Sequence, residues 1–227
     1  MSHRRTNGGS SDAVVEGGPP FAEGSFKVCR KARYQDGHRR GETAIVKQFK
    51  QGSPFEEKYF QEELNIVREA EKIVAAFNET GVLGSRRVRV NIPKTAKAYK
   101  NGVNYLIEPF IEGFQKFNSN TGWADTSSQA AQAMQALSHF SYHFSKREFL
   151  LCDVQGGIYP DEVILTDPVI MSRGGDRGPG DLGKEGIYNF FEKHQCNPFC
   201  RSSWRKPCRY EGRYVSPNKY TFYGYGL

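Results

Sequence analysis

Apolar residues recur along this chain in two different periods, and the places where the period changes mark its elements. Residues 1–18 show no period; they are polar and Gly/Ser-rich, which predicts a disordered N-terminal tail. From Phe26 to Phe49, the segments SFKVCRKARY and ETAIVKQF flank the turn-forming QDGHRRG, which predicts a β-hairpin. The period then lengthens. Tyr59, Phe60, Leu64, Val67, Ala70, Ile73, Val74 and Phe77 fall at spacings of three and four, which predicts a helix. Ser53 can cap it, Pro54 suits its first position, Glu56 and Glu57 complement the dipole, and Gly81 lies beyond its end.

Two further strands are expected in RRVRVNIPKTAKAY and VNYLIEPF, followed by the turn-rich connection EGFQKFNSNTG. A second helix is predicted from about Ser127 to Lys146, with Ala130, Met134, Leu137, Phe140 and Phe144 on one stripe. EFLLCDV and EVILTD read as short buried strands. Glycines recur through RGGDRGPGDLGKEG before a third helix, GIYNFFEKH. The last twenty or so residues have no period, which leaves 205–227 as a C-terminal tail. Strands with one helix, then helices with short strands, predict an α+β chain of two lobes.

Composition narrows the function classes. No apolar run approaches a membrane span, and the N-terminus lacks a signal-peptide core. Five cysteines is an odd number in a chain of 227 residues, long enough not to need disulfides. Reduced thiols with metal or core roles and a cytoplasmic location are therefore expected. The formal charge of +7 is scattered over pairs such as Arg30-Lys31, Arg39-Arg40, Arg86-Arg87 and Arg205-Lys206. None is interleaved with aromatics as an RNA-binding sheet would be, so attraction of a phosphate-bearing ligand explains the charge better than nucleic acid does.

Three groups of residues carry candidate chemistry. In ETAIVKQF, alternation puts Ile45, Lys47 and Phe49 on one face, and a lysine there must snorkel or be paired. Glu63 lies on the apolar stripe of the first helix and offers a partner; such a pair fixes a cation over nucleotide phosphates in protein kinases. The second group is Asp153, Gln155 and Asp167. Each acid follows a buried strand, and Gln155 shares the side of Asp153, so one carboxylate can accept a hydroxyl proton while the others hold a cation. The plainer alternative is that both acids cap turns. The third group is H-x-C-x3-C at His194, Cys196 and Cys200, which could supply three zinc ligands, with His139 or His143, one helical turn apart, as the fourth; two core cysteines and an exposed histidine are the plainer alternative. The glycines Gly178, Gly180, Gly183 and Gly186 lead into a helix, where such loops can cradle phosphate or admit a peptide backbone, although a flexible surface loop would look the same.

Taken together, PFAEGSFK, AIVKQF, IEPFIEGFQKFNSNTG, SHFSYHF, CDVQG, LTDP, GPGDLGKEGI and FFEKHQCNPFC resemble the alpha-kinases, in family order from about Pro20 to Arg201. The resemblance implies a two-lobed protein-kinase-like fold with a structural zinc in the C-terminal lobe. The domain would span 19–204, the N-lobe about 19–108 and the C-lobe about 109–204. It also implies an ATP- and magnesium-dependent serine/threonine protein kinase. Lys47 would contact the ATP phosphates and pair with Glu63. Glu108 and Phe110 would offer backbone groups to adenine, and Lys116 and Lys27 would reach ATP. Asp153 would be the catalytic aspartate, with Gln155 and Asp167 holding magnesium. His139, rather than His143, would join His194, Cys196 and Cys200 on zinc. The glycine loop would serve a protein substrate presenting Ser or Thr.

Two departures stand out. Extra residues, IYPDEV, separate CDVQG from LTDP and put the approach of Asp167 to Asp153 in question. Lysine at position 27 gives up the bidentate phosphate geometry of arginine. Two rival expectations remain: a catalytically silent nucleotide- or protein-binding module on the same fold, and a zinc-bearing nucleic-acid binder.

Overall fold

The computed structural model describes residues 7, 9–24, 27–50, 56–97 and 104–207. In chain order its elements are β1 (Ala13–Val15), β2 (Ala22–Glu23), β3 (Lys27–Tyr34), β4 (Thr43–Phe49), α1 (Glu56–Glu79), β5 (Arg87–Val90) and β6 (Lys94–Lys97). They continue with β7 (Asn104–Pro109), β8 (Gln115–Lys116), α2 (Gln129–Phe144), β9 (Phe149–Cys152), β10 (Gln155–Ile158), β11 (Glu162–Leu165), β12 (Val169–Ser172) and α3 (Gly183–Lys193). The chain divides into two compact units. Among the described residues, one draws on those up to Glu57 and those in 91–110, the other on Lys58–Val90 and those from Ile111 to 207. The proposed capping residues Ser53 and Pro54, and the C-terminal tail beyond residue 207, lie outside the described residues.

The first unit is an antiparallel sheet in the order β1-β3-β4-β7-β6, with β2 also paired to β3. The predicted hairpin is its centre, registered from Lys27 opposite Phe49 to Arg33 opposite Thr43. Alternation sorts its residues: Ala32, Tyr34, Ala44, Val46 and Ile107 pack into a small core on one face. Cys29, Ile45, Lys47 and Glu108 share the other, because Cys29 stands opposite Lys47 and Ile45 opposite Glu108.

Part of the segment expected to be disordered is a built edge of this sheet. Ala13–Val15 pair with Tyr34–Ala32, and Ser10 is buried. The Asp36 carboxylate accepts from the Ser11 amide, the Ser11 hydroxyl and the Asp12 amide, which holds its carboxyl below the usual range. Gly37 completes the joint: at φ 65° a Cβ there would lie 2.5 Å from the Ser10 nitrogen. Composition misled because the polar residues find partners in the hairpin turn, not in one another.

The second unit is built around the apolar faces of α1 and α2. Ile66, Val67, Ala70, Ile73, Val74 and Phe77 of α1 share one core with Ala131, Met134, Leu137 and Phe140 of α2. Helix residues 58–79, inside the N-lobe boundaries drawn from sequence, thus cluster with the second unit. Ser128 caps α2, its hydroxyl accepting from the Ala131 amide at 3.1 Å. Phe144, placed on the core stripe by period, is 42% exposed at the helix end.

Five strands went unpredicted, β1, β2, β8, β10 and β12, and the single strand expected in RRVRVNIPKTAKAY divides into two. β5 and β6, adjacent in sequence, join different sheets. β5 runs parallel to β11 in the order β5-β11-β10-β8, while β9 and β12 form a separate antiparallel ribbon. The hairpin β10–β11 accommodates the extra residues at its tip. Tyr159 and Glu162 close the turn, and Asp161 accepts from the Arg87 amide. Gly156 and Gly157 are needed for strand packing, not for a tight turn: a Cβ on Gly156 would sit 1.8 Å from the Ile164 carbonyl oxygen. Among the described residues, no helix is long and apolar enough to cross a membrane.

Candidate active site and metal centre

In the first unit, Lys47 is 5% exposed and forms an ion pair with Glu108. Burial in strand β4 leaves the ammonium no route to water, so it needs a carboxylate. The Asn91 amide nitrogen fixes that carboxylate at 3.0 Å and donates to the Pro109 carbonyl at 3.2 Å. Glu108 thus brings its side chain to this face. The Phe110 N–H is donated to the Thr43 carbonyl at 3.2 Å. Lys27 lies on the same side of β3 as Cys29, with its ammonium 5.9 Å from the Phe49 ring centre. Glu63 lies half-buried on α1, in the second unit.

The second unit brings the acids together. β9 and β12 pair with Cys152 opposite Val169, so Asp153 leaves the ribbon at the end where Asp167 enters it. The hairpin between them closes at its base: the Thr166 amide donates to the Gln155 carbonyl at 3.0 Å, and the Gln155 side-chain amide reaches the Asp167 carbonyl at 3.4 Å. The extra residues therefore do not carry Asp167 away from Asp153. Both aspartates have left-handed backbones, φ 54° and 47°. Non-glycine residues held there cost about 1–3 kcal/mol each, somewhat less for aspartate, and persist only where the surroundings enforce them.

The enforcement is visible. Asn118, fully buried, accepts from the Val154 amide at 3.0 Å, while the Phe117 and Asn118 amides donate to the Val154 carbonyl. The Asn118 amide nitrogen donates in turn to Gln135 and Ser138 on α2 at 3.0 and 2.9 Å. The Asp153 carboxylate, 5% exposed, then meets the Lys116 ammonium at 2.8 Å and the Asn120 amide at 3.3 Å. Lys116 stands directly across from Gln155 in the β8–β10 pair. An acid with one cation, beside two oxygen-bearing side chains, can take a hydroxyl proton next to a magnesium-type oxygen site.

The glycine loop is stapled, not flexible. The Asp181 carboxylate accepts from the Ser172 amide and hydroxyl, the Arg177 amide and the Gly183 amide at 2.6–3.0 Å. The Asn120 side chain donates to the Gly180 carbonyl at 3.1 Å, so one residue touches both the loop and Asp153. Gly178 and Gly183 have φ 83° and 66°. Gly186 lets α3 approach β12, since a Cβ would meet the Met171 sulfur at 2.0 Å.

His139, His194, Cys196 and Cys200 form the second cluster, with ligand atoms all within 4.8 Å of one another. His139 Nδ1 lies 3.3 Å from His194 Nε2 and 3.6 Å from Cys196 Sγ, and Cys200 Sγ is 3.7 Å from His194 Nε2. A tetrahedron with metal–nitrogen bonds of about 2.0 Å and metal–sulfur bonds of about 2.3 Å has edges of about 3.3–3.8 Å. The donor set fits such an ion.

The surroundings prepare it. His139 Nε2 donates to the Arg205 carbonyl at 3.2 Å, which turns Nδ1 inward as the lone-pair nitrogen. Burial pushes both imidazoles down to about 4, keeping them neutral, and pushes the Cys200 thiol up to about 11. The Lys206 charge nearby favours the Cys200 thiolate, but burial outweighs it; a divalent ion would supply the missing positive charge. His143 points elsewhere, its Nδ1 accepting from the Arg205 amide at 3.4 Å. None of the described cysteines is in a disulfide.

Sequence reading missed Asn118, Asn120, Gln135, Ser138 and Asp181. Gln135 and Ser138 could have been found, being three residues apart beside the apolar stripe of a helix that is buried on most of its surface.

Comparisons with known proteins bear on the family and the fold. The profile of the Alpha-kinase family matches residues 22–200. Alpha-protein kinase vwkA of Dictyostelium discoideum is 33% identical over 190 residues, covering 80% of this chain and 30% of that protein. The eukaryotic elongation factor 2 kinase of Caenorhabditis elegans is 40% identical over 101 residues, 43% of this chain and 12% of the relative. The chain thus spans less than a third of the length of either relative. The crystal structure of the alpha-kinase domain of myosin heavy chain kinase A with AMP shares the fold, with a TM-score of 0.67 at 24% identity over 83% of this chain and 88% of that one.

Proposed function

The chain belongs to the alpha-kinase family, and on that premise we propose that it is a serine/threonine protein kinase moving the ATP γ-phosphate to a protein hydroxyl. The observation that carries this reading is the meeting of Lys116, Asp153, Gln155 and Asp167 at one end of the β9–β12 ribbon. Asp153 orients the acceptor hydroxyl and takes its proton. Lys116, already against that carboxylate, offers its ammonium to the γ-phosphate as the proton leaves. Gln155 and Asp167 hold magnesium, which when bound neutralises charge on the phosphate oxygens. In the first unit, Lys47 positions phosphates with Glu108 fixing its ammonium, Lys27 adds a second cation, and Glu108 and Phe110 offer backbone groups to the base. Pairing of Lys47 with Glu63 belongs to the same reading. Positioning and charge stabilisation supply most of the acceleration.

His139, His194, Cys196 and Cys200 would hold a structural zinc, supported by the tetrahedral spacing of their donor atoms. Gly178, Gly180, Gly183 and Gly186 would border the protein substrate, with the loop tied in place by Asp181. A cytoplasmic location fits the lack of a disulfide among the described cysteines. Incubation with labelled ATP, magnesium and a mixed protein substrate should label serine or threonine. ATP binding without transfer would replace this reading with the silent module.

A further inference from the structure

We propose that Arg147, Arg173 and Lys184 form a docking site for an anionic stretch of the protein substrate, remote from the accepting hydroxyl. The three cations line one surface depression with Tyr142, Ile187 and Tyr188, and no carboxylate lines it. Among the described residues, neither the Arg147 guanidinium nor the Lys184 ammonium makes an ion pair. Arg173 has Glu148 at 3.9 Å, with both side chains more than half exposed. Charge at this spot is thus largely uncompensated by the protein itself. The buried Ile187 beneath it excludes water from one side, which strengthens attraction for an incoming anion.

The backbone adds an independent sign. Lys146 and Arg147 are consecutive non-glycine residues in the left-handed region, φ 56° and 79°. Their amides are pinned to the His143 and Tyr142 carbonyls at 3.1 and 2.8 Å. Glycine would relieve the conformation, yet the chain places a long cation there, facing the depression. Strain retained at a charged surface residue points to use of its side chain.

The position fits a substrate. Arg173 and Lys184 stand at the two ends of the glycine loop, whose Gly180 is tied through Asn120 to Asp153. The acids sit at one end of the β9–β12 ribbon, and Arg147 and Arg173 at the other. Six residues of extended chain from Asp167 to Arg173 span about 20 Å, so the anionic group should lie about six positions from the acceptor.

This inference rests on the kinase reading, and one experiment separates the two. The full chain is given two acceptor peptides, identical except for four glutamates or four glutamines placed six residues from the acceptor; a third carries phosphoserine there. The wild type should show a KM about ten-fold lower for the anionic peptides than for the glutamine peptide. The double variant Arg147→Glu, Lys184→Glu should erase that preference and leave kcat, the KM for ATP and the KM for the glutamine peptide unchanged. No preference in the wild type, or the same preference in the variant, overturns the site. A phosphoserine effect without a glutamate effect assigns the site to phosphorylated substrates. Fluorescence anisotropy of the glutamate peptide without ATP stands apart from catalysis. Charge-dependent binding with no transfer to any peptide upholds the docking site and removes the kinase reading. Stronger binding of an RNA oligonucleotide, equally lost in the variant, overturns the substrate assignment.

Discussion

The acid turn and the metal cluster hang from adjacent residues of α2, and they are held by opposite means. Ser138 supports Asn118 and so the Asp153 turn, while His139, the next residue, turns to the metal cluster. The acid turn is finished by the protein alone: hydrogen bonds enforce two left-handed aspartates, and Lys116 balances the charge of Asp153. The metal cluster leaves its donors facing one another, with thiols and neutral imidazoles that only a cation can join. On the proposed kinase reading, the acid turn would release its metal with every nucleotide and so needs a scaffold independent of that metal. A structural zinc would not be released, and the ion could then be the scaffold.

The largest expected effect tests the second half of that contrast. Stripping the metal with a strong chelator, or His139→Ala, should destabilise the second unit by more than about 4 kcal/mol, read by thermal melting beside metal analysis. A folded protein with less than about half an equivalent of zinc would erase the difference between the two clusters. Asp153→Ala should lower phosphotransfer about 10³-fold or more while the zinc content and far-UV circular dichroism stay those of the wild type. Full activity in that variant removes the acid turn from the chemistry.

Asn118→Ala should cost about 3 kcal/mol, because it strands the Val154 amide and frees Gln135 and Ser138, and it should lower kcat without releasing zinc. Loss of zinc in that variant would show that the two supports are one. The smallest effect is expected at Gly183, where alanine has room but not a suitable backbone. Gly183→Ala should cost about 1 kcal/mol in a urea titration. Gly156→Ala, blocked by the Ile164 carbonyl, should cost clearly more in the same titration.

Much of the site could be read before folding because its residues cluster along the chain. Asp153, Gln155 and Asp167 lie within fifteen positions, as do His194, Cys196 and Cys200 within seven. The family resemblance implied His139 over His143, and the structure adds a physical reason in Arg205, whose carbonyl turns one ring and whose amide occupies the other. Asn118 and Asn120 carry no periodic signal; their roles depend on a loop folding back onto a turn more than thirty residues away. The N-terminal strand escaped notice for the same reason, since its polar residues are satisfied by Asp36 in the hairpin turn.

Local pattern therefore determined what was present: the hairpin with its lysine, the helices, two strand-end acids and three of the four candidate metal donors. Periodicity and side-chain chemistry act over a few residues, and a sequence displays them directly. Only the tertiary structure decided what meets what. It gave Lys47 the Glu108 carboxylate, gave Asp153 its lysine, and clustered α1 with the second unit. It also absorbed the extra residues in a hairpin tip that returns Asp167 to the acid turn. Those outcomes depend on strand register and on which polar groups are buried together, and no short window of sequence contains either.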